Sequence, residues 1–231
     1  MQRTLFLFLT AVVLGALPAL PAGAQNEVGR VEGVRIYAYG TPPLGERGPL
    51  YAYNDVYMNH VVETVAKGAI RIKFKDDTEL RMGESSKLVI DQLVYNPEAN
   101  QHAAAFTLVS GLFRYISGKI DKKAVAIFTP DAVVGIRGTD LQFDIGKSGT
   151  DIFVFKGAIE VVSKRSGQRT VVPAGQGVSI GSTGGVDRTD SIPFQPDSSL
   201  SDRATGHRGP GSGDGGGTST GGSSGGGGGV H

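Results

Sequence analysis

The chain has 231 residues, with 23 Lys plus Arg against 22 Asp plus Glu, and neither cysteine nor tryptophan. A near-neutral chain without a basic cluster is a poor candidate for nucleic acid or an anionic membrane surface. Without cysteine there is no disulfide framework, no thiolate metal ligand and no lipid-modified cysteine, so the fold must be held by packing alone.

The first stretch does not belong to the fold. Met1-Gln2-Arg3 is a short basic start, Leu5 to Leu17 is apolar, and Ala22-Gly23-Ala24 is a small-x-small cleavage site before Gln25. Those are the three parts of a secretory signal peptide, expected to span 1–24 with cleavage after Ala24. The apolar run falls short of the roughly 20 residues that a bilayer core demands. No later segment reaches that length, so the mature chain is expected to carry no transmembrane segment and to be periplasmic or secreted. Removing Arg3 with the leader leaves charges of each sign in equal number.

Val28 to Ile36 alternates apolar with polar residues and reads as an opening strand. Tyr37 to Pro49 carries Gly40, Pro42, Pro43, Gly45 and Gly48 and reads as a long turn. Tyr51, Tyr53 and Tyr57 then gather around Asn54-Asp55. Tyrosine has an apolar ring and a hydrogen-bonding hydroxyl, so the three form either a ligand platform or a cap on one end of the core. Ile70, Ile72 and Phe74 share one face of the next strand, with Arg71, Lys73 and Lys75 on the other. Asp76, Asp77 and Glu79 lie at the following turn; the 12-residue calcium loop with its closing Glu is absent, and they read as turn formers. No metal site and no cofactor is expected.

Leu80 and Met82, then Leu88 to Ile90, are short strands. Asp91 to Ala105, with Asn96-Pro97, reads as a loop containing His102. Phe106 to Leu108 and Leu112 to Ile116 follow, hinged at Ser110-Gly111, and Ala124 to Phe128 leads into the densest block of the chain. Gly146-Lys147-Ser148 is a fragment of a phosphate loop, but Leu141 stands where the first glycine belongs and a strand, Asp151 to Phe155, follows where a helix is needed.

Lys156-Gly157-Ala158-Ile159 repeats Lys67-Gly68-Ala69-Ile70, and each copy leads through a turn and a second strand to a closing apolar pair, Leu88 and Ile90 or Val178 and Ile180. One strand-turn-strand unit is used at least twice. The fold class is therefore all-β, either a coiled stack of short strands resembling a β-solenoid or a two-sheet β-sandwich. The domain is expected over 25–186. From 187 to 231 the chain passes into Gly-, Ser- and Thr-rich sequence, which buries too little apolar area to offset chain entropy and reads as a disordered tail.

The block Thr129-Pro130-Asp131-Ala132-Val133-Val134-Gly135-Ile136-Arg137-Gly138-Thr139-Asp140-Leu141 reads as a strand buried on both faces, a break at Arg137-Gly138-Thr139, and a strand with Leu141, Phe143 and Ile145 inward and Gln142 and Asp144 on a wet face. It resembles the most recognisable segment of the FecR domain family, through Thr129, Pro130, Val134, Gly135, Arg137, Gly138 and Thr139, and the resemblance extends over Val28 to Ile180. The family is an extracytoplasmic all-β module with several roles, and its best-known members are sensors that receive a signal from an outer-membrane transporter and control a sigma factor through a cytoplasmic segment. No such segment precedes the hydrophobic stretch here. The resemblance thus implies an exported binding or sensing module without direct sigma-factor control.

Arg137 reads either as a partly buried clamp, paired with Asp140 or strand-end carbonyls, or as a contact to a partner's carboxylate. Asp140 and Asp144, four apart on one strand face, offer a carboxylate pair for glycoside chemistry, and neither His60 nor His102 lies in a metal or nucleophile motif. The expected function is a non-enzymatic envelope module that docks a protein partner or a cell-wall polymer, with Arg137, Asp140, Tyr51, Tyr53 and Tyr57 as candidate contacts. The alternatives are a carbohydrate-active enzyme using Asp140 and Asp144, or a structural envelope component.

Overall fold

A computed structural model describes residues 26–96, 98–99 and 101–189. The expected signal peptide (1–24) lies outside these residues, as does the expected tail from residue 190 onward.

Two layers of strands share one long member. The first layer holds β1 (Glu27–Arg35), β4 (Asp55–Tyr57), β6 (Ala69–Phe74), β7 (Glu79–Met82), the second half of β9 (Gln101–Ile116), β12 (Asp140–Ile145), β13 (Gly149–Lys156), β16 (Gly177–Gly181) and β17 (Val186–Thr189). The second layer holds β2 (Ala38–Thr41), β3 (Gly48–Leu50), β5 (His60–Thr64), β8 (Lys87–Asn96), the first half of β9, β10 (Val125–Phe128), β11 (Ala132–Ile136), β14 (Ala158–Ser163) and β15 (Arg169–Pro173). In space the first layer runs β4–β1–β6–β7–β9–β12–β13–β16–β17 and the second β3–β2–β5–β8–β9–β10–β11–β14–β15. All pairings are antiparallel except β9 with β10.

The all-β expectation holds: short strands wind back and forth between two facing layers, advancing in near chain order around one interior. Ile70, Ile72, Phe74, Leu80, Met82, Phe113, Tyr115, Leu141 and Phe143 of the first layer and Leu88, Ile90, Phe106, Leu108, Ile127, Val134 and Ile136 of the second form one buried core. Phe106 joins the layers, its ring 5.0 Å from Phe74 and 6.1 Å from Tyr115. Because strand side chains alternate sides, each layer turns its aliphatic set inward and its charged set out.

The chain keeps crossing from layer to layer, and each direct crossing carries one residue with left-handed φ: Ile36 (63°), Tyr53 (72°), Asn59 (60°), Lys67 (60°), Ser85 (51°), Gly111 (97°), Gly138 (73°), Gly157 (78°) and Gly175 (82°). One such residue breaks the pleat and re-aims the strand without lengthening the loop. The internal repeat marks two of these crossings. A Cβ on Gly68 would lie 2.8 Å from the Tyr37 carbonyl oxygen, and one on Gly157 would lie 1.7 Å from that of Gly138. In both copies the glycine lets the backbones of two neighbouring crossings touch.

Several local expectations are corrected. Tyr37 to Pro49 is a hairpin, β2 and β3, and Asp91 to Ala105 is the tip of the β8–β9 hairpin. A bulge between Ile90 and Gln92 shifts the alternation so that Leu93 faces inward, which hid this strand from a period-two reading. His102 is therefore a strand residue, its ring tilted against Tyr95 with centres 5.5 Å apart. In β11 only Ala132, Val134 and Ile136 are buried, with Val133 half-buried on the outer side. Gln142 is buried instead of wet, its amide unpartnered among the described residues. Beyond Ile180 the first layer gains β17, paired with β16, so the sheet runs into the stretch assigned to the tail.

Candidate functional site

Two parts of the module differ in what they offer a partner. The Arg137-Gly138-Thr139 crossing is occupied by contacts within the chain. Arg137 N–H donates to the Ala158 oxygen at 3.0 Å and Ser117 N–H to the Thr139 oxygen at 3.1 Å. Thr139 is buried. Thr129 closes the preceding turn: its hydroxyl accepts from Ala132 N–H at 3.0 Å, and Lys164 Nζ donates to its carbonyl at 2.5 Å. The family block is thus a folding element.

Two expectations about this block fail on geometry. Arg137 is no buried clamp: its side chain is 62 % exposed and lies 3.5 Å from Glu160, which also pairs with Arg169. Asp140 pairs not with Arg137 but with Arg114 on the neighbouring β9, in a two-pronged contact of 3.0 and 2.9 Å. The Arg114 guanidinium also stacks 4.3 Å from the Phe155 ring centre. Its ion pair with Glu160 is solvent-exposed, so removal of Arg137 is expected to cost little stability.

Nor do Asp140 and Asp144 form a catalytic pair. Four strand residues separate them by about 13 Å, beyond the ~6.5–9.5 Å that an inverting glycosidase uses. The carboxylate facing Asp144 is Asp151, directly across the β12–β13 ladder. Partial burial, and then the Asp151 charge, hold the Asp144 carboxyl above its ordinary value of 3.8. A raised folded-state value means that ionisation is harder in the fold than in the unfolded chain. This contribution therefore favours the fold below about pH 3.8 and is lost as pH rises through the folded value. Asp144→Asn should raise the urea midpoint at pH 7 by an amount worth about 0.5 kcal/mol, kept small by solvent screening. The gain should vanish near pH 3 and should not add to that of Asp151→Asn.

The acidic turn after β6 is likewise structural. Asp76 is buried and accepts from Thr78 N–H at 3.2 Å and from the Thr78 hydroxyl at 2.5 Å. Asp77 pairs with Lys73 at 3.1 Å and Lys119 at 2.6 Å, and these cations hold its carboxyl below the ordinary range.

The segment around the β2–β3 hairpin carries the exposed aromatic residues. Because β2 and β3 pair through Ala38 and Leu50, Tyr37 and Tyr51 leave the hairpin at neighbouring positions. Tyr53 follows, its N–H donating to the Val31 oxygen at 2.8 Å. Tyr37 is 58 % exposed, Tyr51 54 % and Tyr53 77 %, and Ile36 beside them is 53 % exposed. Of the two readings of the tyrosines, capping the core fails for Tyr51 and Tyr53, because their rings stand in solvent.

Tyr53 also stands on the rim of an open concavity of about 390 Å³, walled by Pro42, Glu46, Pro49, Leu50, Asn54, Asp55 and Tyr57 and floored by Gly40 and His60. Asn54 fixes the loop, its side-chain oxygen accepting from Tyr51 N–H at 2.9 Å. Arg30 Nε donates to Asp55 at 3.2 Å. His60 is buried, stacks on Tyr57 with ring centres 5.9 Å apart, and has no hydrogen-bond partner on either ring nitrogen among the described residues. Desolvation pushes its pKa below 6.5, so the ring is neutral at neutral pH. Gly40 makes room for it, since a Cβ there would lie 2.4 Å from His60 Nε2. In the sequence His60 stands apart from other ligating residues, and its burial against Gly40, twenty positions away, leaves no local signal.

A second concavity, about 530 Å³, lies over the outer face of β1 and β6 and shares Tyr53. Its charges cancel in pairs, Arg30 with Asp55, Arg71 with Glu32 and Lys75 with Glu27.

These features define a class: a two-layer β module with an aromatic, concave surface beside the β2–β3 hairpin. Residues 60–160 match the family model described as FecR protein. The match includes the Thr129–Thr139 block, whereas Tyr51, Tyr53 and Tyr57 precede it. Two crystal structures of a "putative anti-sigma factor" from Parabacteroides distasonis ATCC 8503 are similar at 9 % and 10 % identity, each with TM-score 0.45, over 56 % of this chain and 58 % of that one. This chain thus spans under two thirds of that protein. No curated protein matches the sequence.

Proposed function

We propose that this protein is a non-enzymatic binding and sensing module working outside the cytoplasm, which docks an envelope protein or a cell-wall polymer through the surface that carries Tyr37, Tyr51 and Tyr53. The FecR match supports a sensing role in general terms. The observation that carries the docking surface is the gathering of three exposed tyrosines and Ile36 where strands cross between layers. Exposed large apolar side chains cluster where a partner covers them, and tyrosine supplies contact area at low entropic cost. The leader expected over residues 1–24 supports export.

The full chain, immobilised, is tested against solubilised envelope protein and, separately, by co-sedimentation with insoluble wall polymer. Retention in one arm is expected, falling at least tenfold in a Tyr51→Ser/Tyr53→Ser double variant that melts like the parent. Equal retention of parent and variant, or none in either arm, would sink the reading. Glycoside turnover abolished by Asp140→Asn would replace it with the enzymatic alternative.

A further inference from the structure

We propose that the concavity between the β2–β3 hairpin and β4 is a saccharide-binding site, in which Tyr53 and Tyr57 form its walls, Glu46 and Asp55 accept from ring hydroxyls, and His60 is the buried polar floor. The inference rests on the binding-module reading and names the ligand class for one part of its surface.

The starting point is His60. A neutral imidazole has one donor and one acceptor nitrogen, and leaving such groups buried without partners costs about 1–3 kcal/mol. Both nitrogens are unpartnered here, although the ring is only 2 % exposed and forms the floor of the concavity. The surrounding chemistry is similarly mixed. Glu46 and Asp55 only accept, the Asn54 amide nitrogen only donates, and the tyrosine hydroxyls do both. A hydroxyl donates and accepts, so it matches every member of this set, whereas an ammonium or guanidinium group leaves the donors unanswered and a phosphate meets two carboxylates.

The apolar parts fit the same ligand. Pro42, Pro49 and Leu50 line the concavity together with Tyr53 and Tyr57, and the C–H face of a pyranose packs on apolar and aromatic surfaces while its hydroxyls reach polar neighbours at the edge. The volume lies in the range of small-molecule sites, and the open rim admits a ring within a longer chain.

The local backbone holds these groups in place. The segment is pinned at Tyr53 by the Val31 carbonyl, at Asn54 by the Tyr51 carbonyl at 3.2 Å and at Met58 by the Asn26 carbonyl at 2.9 Å. Tyr53 and Asn59, at its two ends, adopt left-handed φ without being glycine. Except for His60, every lining residue precedes the stretch matched by the family model.

The test is a nuclear magnetic resonance titration of the full-length protein with chitotetraose, cellotetraose and maltotetraose, and with a lysine-rich peptide as control. At least one sugar should shift the Tyr53, Tyr57 and His60 ring signals in a saturable way. Glu46→Gln should weaken that sugar at least fivefold, and Tyr57→Ala at least tenfold. Glu46 is an exposed turn residue, so its variant should fold even if Tyr57→Ala does not. The proposal is overturned if no sugar moves these signals at about 10 mM, a concentration that detects even millimolar affinity. It is also overturned if shifts fall elsewhere or if the lysine peptide alone binds there. Any of these results, together with tyrosine-dependent retention in the docking assay, would leave the docking role standing and remove only the saccharide site.

Discussion

Gly157→Ala should abolish the folded state or cost more than about 4 kcal/mol, a loss reserved for a few mechanisms. Two act here together. The residue sits at φ 78°, where an L side chain is strained, and its new Cβ would lie 1.7 Å from the Gly138 carbonyl oxygen and 2.7 Å from the Gly138 carbonyl carbon. Both obstacles are backbone, in a crossing that itself turns on a left-handed glycine, so neither moves without parting β11–β12 from β13–β14. The comparison that isolates the clash is Gly175→Ala. Its φ is 82°, yet nothing lies within 4 Å of the added carbon, so only the left-handed penalty of about 1–2 kcal/mol should appear. Urea unfolding followed by circular dichroism measures both. Equal losses at the two positions would mean that contact between crossings does not hold these strands together.

Phe106→Ala should cost about 3–5 kcal/mol, the range for a fully buried aromatic. Phe106 is completely buried in β9, and its ring meets Phe74 from β6 and Tyr115 from the far half of its own strand. Its loss opens a void on the seam between layers, where neither sheet relaxes without dragging the other. Total stability of a domain is only about 5–15 kcal/mol, so the variant should unfold at markedly lower urea, in one transition if the layers are a cooperative unit. Phe155→Ala, on the outer side beneath Arg114, should cost far less. A similar loss at the two positions, or a second transition in Phe106→Ala, would contradict a shared core.

The family block is legible in the sequence as strand, break and strand, but its side-chain contacts are not. Arg137-Gly138-Thr139 reads as a break, and it ends β11. What sequence could not supply was the partner of each charge. Asp140 was weighed with Arg137, three residues away, but it is Arg114, on a strand 26 residues earlier, that lies across the ladder. Charge pairing across a sheet depends on register, and register is fixed by the whole hydrophobic pattern and its bulges. The candidate site shows the same division. Tyr51, Tyr53 and Tyr57 stood out by composition, but the concavity also needs Gly40, Glu46 and Pro49 from a hairpin that its glycines and prolines disguised as a long turn.

What the sequence determines by itself is local: which residues alternate, where glycine or an acidic pair interrupts them, and that the same crossing is used twice. Alternation and turn chemistry act within a few residues of the chain, so they survive without knowledge of the neighbours. Only the tertiary structure decides which layer each strand enters, that the repeated glycines are places where two backbones touch, and that His60 is buried at the foot of a tyrosine-lined hollow. These depend on segments tens of residues apart meeting in one register, which no local pattern encodes.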